Sequence, residues 1–204
     1  MNTNLLFEEH KYLINEADVL LFNPPRFLSV GWFISKYTHS PYSHAALAHW
    51  EDGELYVLEF REFKGSRKYL FADYIENGAS INVFRSVDAV TYPVLKEGKI
   101  FHEKHEFTPE VAHQVTQTAL DLMGKHYSYW TIWQMIKTYI PFIRLRTRLV
   151  KNGEPDPKRF VCSTLVTYAF RKNFIDPIPF LSDGYTSPGD LARSGLFSYL
   201  FTIK

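Results

Sequence analysis

The sequence predicts an α+β fold, an antiparallel sheet packed against helices, on three observations. The stretch "HAALAHWEDGELYVLEF" reads as two strands joined at Asp52 and Gly53, a dipeptide that favours a two-residue type I′ hairpin turn. Thr108, Pro109 and Glu110 open an apolar stripe of Val111, Val115, Ala119 and Leu122 that closes at Gly124, which reads as a capped helix from Thr108 to about Met123. Cys162, Leu165, Val166, Ala169 and Phe170 recur at helical spacing, so a second stripe begins with the only thiol of the chain.

The remaining elements follow in order. "ADVLLF" (17 to 22) reads as a buried strand because its apolar run is unbroken. A helix from Arg26 to about Tyr37 stops before Ser40 and Pro41, since the residue preceding a proline is pushed out of helical geometry. "SINVFRSV" (80 to 87) reads as a strand by alternation of Ile81, Val83, Arg85 and Val87. Residues 93 to 109 and 151 to 159 read as irregular. With 204 residues and neither repeat nor linker, the chain is expected to form one domain over 1–204, with an aromatic and basic insertion at about 129–157.

Composition narrows the function classes. A formal net charge of +1 gives no pull toward nucleic acid, so the expected partner is a peptide or an acyl-bearing small molecule. The N-terminus has no basic stretch followed by a long apolar run, and no window approaches about 18 consecutive apolar residues. A cytoplasmic location is therefore expected, in keeping with a single cysteine that excludes an intramolecular disulfide. No cofactor is called for. His102 and His105 in "FHEKHEF" fall one residue short of the spacing that presents two zinc ligands on one helical face, and no metal site is expected. His39, His49 and His113 read as packing or surface histidines. Arg144, Arg146 and Arg148 read as a solvated face; the alternative is that the 129 to 151 stretch forms an aromatic–basic surface for peripheral contact with anionic lipid headgroups or for a polyanionic substrate.

The chemistry concentrates at three residues. A two-residue turn at Asp52 and Gly53 sets Glu51 opposite Glu54, Ala46 opposite Glu59 and His44 opposite Arg61, which puts His44 and Glu59 on one face as diagonal neighbours. Glu59, flanked by Val57, Leu58 and Phe60, needs a partner to offset its desolvation, and an imidazole is suitable. Pro155 and Pro157 disfavour an earlier helical start, so Cys162 lies in a first turn, where unbonded N–H groups and the helix dipole favour a thiolate and can hold an oxyanion. A nucleophile, a base and a carboxylate that orients the base are the parts of a nucleophilic triad, whatever their order in the chain. Taken singly, each residue has a plainer reading: a core histidine, a solvent-facing glutamate on an edge strand, a small apolar cysteine.

In the order in which they occur, "ADVLLF", "SPYSHAAL", "LYVLEF", "GKHYSYW", "FVCSTLV" and "TSPGDLARSGLF" resemble the circularly permuted NlpC-type papain-fold proteins, the YiiX/YaeF-like amidases related to the lecithin–retinol acyltransferase group. The resemblance runs from about Ala17 to Phe197. It implies a permuted papain-like fold in which the histidine strand precedes the cysteine helix, with Cys162 as nucleophile, His44 as general base and acid, and Glu59 as its orienter. Amide or ester cleavage through a thioester, on a peptide of cell-wall type, is the implied reaction. Lipid acyl transfer and a catalytically silent binding module are its variants. Tyr42, Ser43 and Tyr127 are candidates for substrate or oxyanion contacts. Phe160 and Val161 depart from the family, which often has a Tyr before the cysteine, as does Thr164, where it often has an acid.

Overall fold

The computed structural model describes residues 4–24, 30–61, 64–96, 99–124, 162–179, 181, 183 and 186–204. Tyr127, His126, the 129–157 insertion, its basic stretch and the segment 151–159 lie outside them. Nine strands are described: β1 (Asn4–Leu5), β2 (Val19–Phe22), β3 (His44–Glu51), β4 (Glu54–Arg61), β5 (Gly65–Leu70), β6 (Ile81–Ser86), β7 (Ala89–Lys96), β8 (Lys99–Glu106) and β9 (Phe197–Ile203). Six α-helices accompany them: α1 (Phe7–His10), α2 (Val30–Thr38), α3 (Phe71–Glu76), α4 (Pro109–Leu120), α5 (Cys162–Lys172) and α6 (Pro188–Arg193). Seven strands form one sheet in the order β1-β9-β6-β2-β3-β4-β5, antiparallel throughout except where β1 meets β9.

Both faces of this sheet are covered, which explains why β2 is apolar at every position. On one face Leu21, Leu47, Leu58 and Phe60 pack with Val115 and Ala119 of α4 and with Leu165, Val166, Ala169 and Phe170 of α5. On the other, Leu20, Phe22, Ala46, Val57 and Ile81 pack with Phe7, Phe71 and Tyr74. The same covering removes the expected alternation in β6, where every residue but Arg85 is buried. Arg85 keeps its charge in a two-pronged bond to the buried Asp18 just ahead of β2, Nε to Oδ1 at 2.9 Å and Nη2 to Oδ2 at 2.7 Å.

The local signals shape the elements as expected in most places. Asp52 and Gly53 both have positive φ, 52° and 81°, as a type I′ turn requires, and Glu51 pairs with Glu54. Thr108 caps α4 by accepting the Val111 N–H, with Pro109 at the first position; the helix proper ends at Leu120, and turns carry the chain on to Gly124. In α2 the described helix begins at Val30 and ends at Thr38.

Residues 93 to 106 correct the irregular reading, because β7 and β8 form a separate two-stranded ribbon. Pro93 stands within β7 opposite His102. A two-stranded ribbon has a free edge on each strand, so a residue without an N–H can be accommodated there. His102 and His105, three apart on a strand, project to opposite faces. Among the described residues, no helix is long and apolar enough to cross a membrane.

Candidate active site

The site lies where two central strands part. Pairing between β3 and β4 runs from Glu51 and Glu54 as far as Leu47 and Leu58. Beyond that point β3 continues with β2 to His44, while β4 continues with β5 to Arg61. The expected direct pairs of Ala46 with Glu59 and His44 with Arg61 are therefore absent from the ladder. The diagonal relation survives this parting: His44 Nε2 and Glu59 Oε2 are 2.5 Å apart.

Glu59 is completely buried. Its Oε1 accepts a bond from Arg67 Nε at 2.6 Å and another from the Tyr74 hydroxyl at 2.5 Å, and Arg61 Nη1 lies 4.0 Å from the same oxygen. The edge-strand reading fails because β5 covers β4, with Arg67 paired directly to Glu59. Burial works to raise the Glu59 carboxyl, but the charge and hydrogen bond of His44, with those of Tyr74 and Arg67, hold it down at about 2.

Cys162 is the first residue of α5 and is 5 % exposed. Its helix packs on the face of the sheet that carries Leu47 and Leu58, whereas Glu59 looks to the face that carries Tyr74. His44 stands at the end of β3, where the strands have separated: it hydrogen-bonds Glu59 through Nε2, and Cys162 is close enough to act on the charge of its ring. With Nε2 taken, Nδ1 is the ring nitrogen left for the sulfur. Burial works to lower the His44 imidazole, but the adjacent Cys162 sulfur and Glu59 carboxylate push it up to about 10. The ring edge also packs on Phe22, centroids 5.3 Å apart. A thiol, an imidazole and a buried carboxylate drawn from three elements are the groups that proton transfer to and from a thiol requires.

Tyr42 and Ser43 are engaged elsewhere. The Ser43 hydroxyl donates to the Phe22 carbonyl at 3.3 Å, and the Tyr42 ring packs edge-on against Phe84 at 5.7 Å. Thr164, buried in α5, donates to the Asp183 carbonyl at 3.2 Å, and the Asp183 side chain supplies a buried acid beside this helix from the following loop, paired with Arg171 at 2.9 Å. His49 is a buried packing histidine bonded to Glu16 at 2.7 Å. A cavity of about 780 Å³, lined by Ile14, Glu16, Trp50, Arg85 and Phe107 among others, lies toward the opposite end of β3 and contains none of the three site residues.

No family model matches the chain, and no curated protein matches it. A crystal structure of the metalloprotein YiiX from Escherichia coli O157:H7 superposes on it with a TM-score of 0.59 at 15% identity, covering 92% of this chain and 96% of that one. The fold is YiiX-like. Among the described residues of this YiiX-like chain, no group of three or more His, Cys, Asp and Glu side chains is arranged to hold a metal ion.

Proposed function

We propose that the protein is a thiol hydrolase of the permuted papain-like, NlpC-type class, cleaving an amide bond in a peptide, or an ester, through Cys162, His44 and Glu59. The observation that carries the reading is the His44 imidazole bonded to a buried carboxylate on one side and facing the only cysteine, at a helix start, on the other. In the proposed reaction the Cys162 thiol gives its proton to His44, the resulting thiolate attacks the substrate carbonyl carbon, and the carbonyl π electrons move to oxygen, where the Cys162 backbone N–H supports them. Collapse re-forms the carbonyl and expels the amine or alkoxide, which takes a proton from His44 and leaves a thioester. Water then gives a proton to His44 and its oxygen to the acyl carbon, releasing the acid and the thiolate. Throughout, Glu59 keeps the ring oriented and stabilises its charge.

A second reading, a catalytically silent binding module on the same fold, is favoured by the burial of Cys162. The rate of Cys162 alkylation by iodoacetamide as a function of pH separates the two. A hydrolase gives a thiol reactive down to about pH 5 to 7, with a profile displaced in His44→Ala; turnover in an amide and ester panel then disappears in Cys162→Ser. Reactivity that rises only near pH 8.5 and ignores the His44 change would sink the hydrolase reading.

A further inference from the structure

We propose that Arg67 and Tyr74 are positioning residues that allot the two oxygens of Glu59, filling Oε1 so that Oε2 alone is left for the His44 imidazole. The proposal rests on the triad reading for its catalytic meaning and on geometry for its content. A carboxylate presents two equivalent oxygens, and an imidazole can flip about its Cβ–Cγ bond, so a bare Glu–His pair does not define which atoms meet. Here the ambiguity is removed on the carboxylate side.

Oε1, Arg67 and Tyr74 form a closed ring of hydrogen bonds: Arg67 Nε to Oε1 at 2.6 Å, Arg67 Nη2 to the Tyr74 oxygen at 2.8 Å, and the Tyr74 hydroxyl to Oε1 at 2.5 Å. Arg61 Nη1 also donates to the Tyr74 oxygen, at 2.7 Å. Two guanidinium donors face that oxygen, so the single phenolic proton is directed at Glu59. The clamp is itself held. The Arg67 guanidinium lies 4.4 Å from the centre of the Tyr69 ring, and the Tyr74 ring packs against Phe22 and Tyr69 at 5.2 and 5.3 Å. The charged and titratable groups around Glu59 are thus His44 from β3, Arg61 from β4, Arg67 from β5 and Tyr74 from α3, with Cys162 reaching it through His44.

The test uses the full chain labelled with ¹⁵N, following the imidazole Nε2–H proton resonance of His44, which a short bond to a carboxylate moves far downfield and protects from exchange; loss of the signal in His44→Ala assigns it. In the wild type the signal is expected to persist as the pH is lowered toward Glu59 protonation. In Tyr74→Phe and Arg67→Gln, where Oε1 loses a donor, it should disappear about one pH unit or more higher, and Arg67→Lys should recover part of the range. Tyr74→Phe keeps the ring in its apolar setting, so it decides the matter even if the Arg67 variants do not fold. A signal with the same acid midpoint in folded Tyr74→Phe and Arg67→Gln overturns the proposal. Failure of the triad reading shows separately, as an ordinary Cys162 alkylation profile in a protein whose His44 signal still responds to the clamp variants.

Discussion

Glu59→Gln is the most informative single change, because it preserves shape while removing the charge that holds His44 and Arg67. The carboxyl lies at about 2 in the folded protein against an ordinary 4.5, under the opposing effects of burial, which raises it, and of His44, Tyr74 and Arg67, which lower it. That difference corresponds to roughly 3 kcal/mol of stability at neutral pH. The sign is fixed by its direction: a depressed carboxyl contributes in full above pH 4.5, and the contribution is lost as the pH falls from there through about 2. The glutamine protein should therefore unfold in urea about 1 to 3 M earlier at pH 7, for slopes of about 1–3 kcal/mol per molar. It should also lack the portion of acid destabilisation that the wild type shows below pH 4.5. Urea titrations followed by tryptophan fluorescence at pH 7, 5 and 3 measure both effects. Equal midpoints at pH 7, together with an unchanged acid slope, would refute the account of Glu59 as the buried counter-charge of the site.

Three other outcomes are expected. His44, pushed up from 6.5 to about 10, contributes stability that is complete below pH 6.5 and lost as the pH rises through about 10, so His44→Ala should remove this alkaline loss; urea midpoints between pH 6 and 10 measure it. Asp183, raised to about 6 chiefly by burial despite Arg171 and Thr167, favours folding when protonated, so that its contribution declines from pH 3.8 through about 6; Asp183→Asn should flatten stability over that window. At Gly189 an added Cβ would lie 2.5 Å from Ser40 Cβ and 2.8 Å from its hydroxyl, so Gly189→Ala should cost about 1–3 kcal/mol, and Ser40→Gly in the same chain should restore much of it, as read by thermal melting.

Elements specified by neighbouring residues were legible in the sequence. Asp52 and Gly53 define their turn by themselves, and that turn brings His44 and Glu59 to one face before any tertiary structure is considered. Thr108 and Pro109 likewise define where α4 begins. What escaped depended on distant pairing. Arg67 belongs to the site only because β5 pairs with β4 in a register that sets it opposite Glu59, and Tyr74 only because α3 folds back over that pair. A basic residue on the strand after a buried glutamate is a signal that could have found Arg67; nothing comparable marks Tyr74. The β7–β8 ribbon escaped because Pro93 interrupts the alternation of Val90, Tyr92 and Val94 in β7, and the charged second half of β8 carries no apolar alternation.

The central place of β3 has a consequence for how the molecule opens. His44 ends a strand that β2 and β4 bracket from Leu47 onward and whose residues Ala45 to Ala48 are buried. Amides of such a strand exchange with solvent only through the highest-energy openings a protein undergoes, whereas edge strands such as β5 open at lower cost. Deuterium should therefore enter the backbone around Leu47 and Ala48, where both neighbours are in place, last. The histidine is carried on the same strand as this unit, and loss of its alignment on heating should coincide with global unfolding rather than precede it.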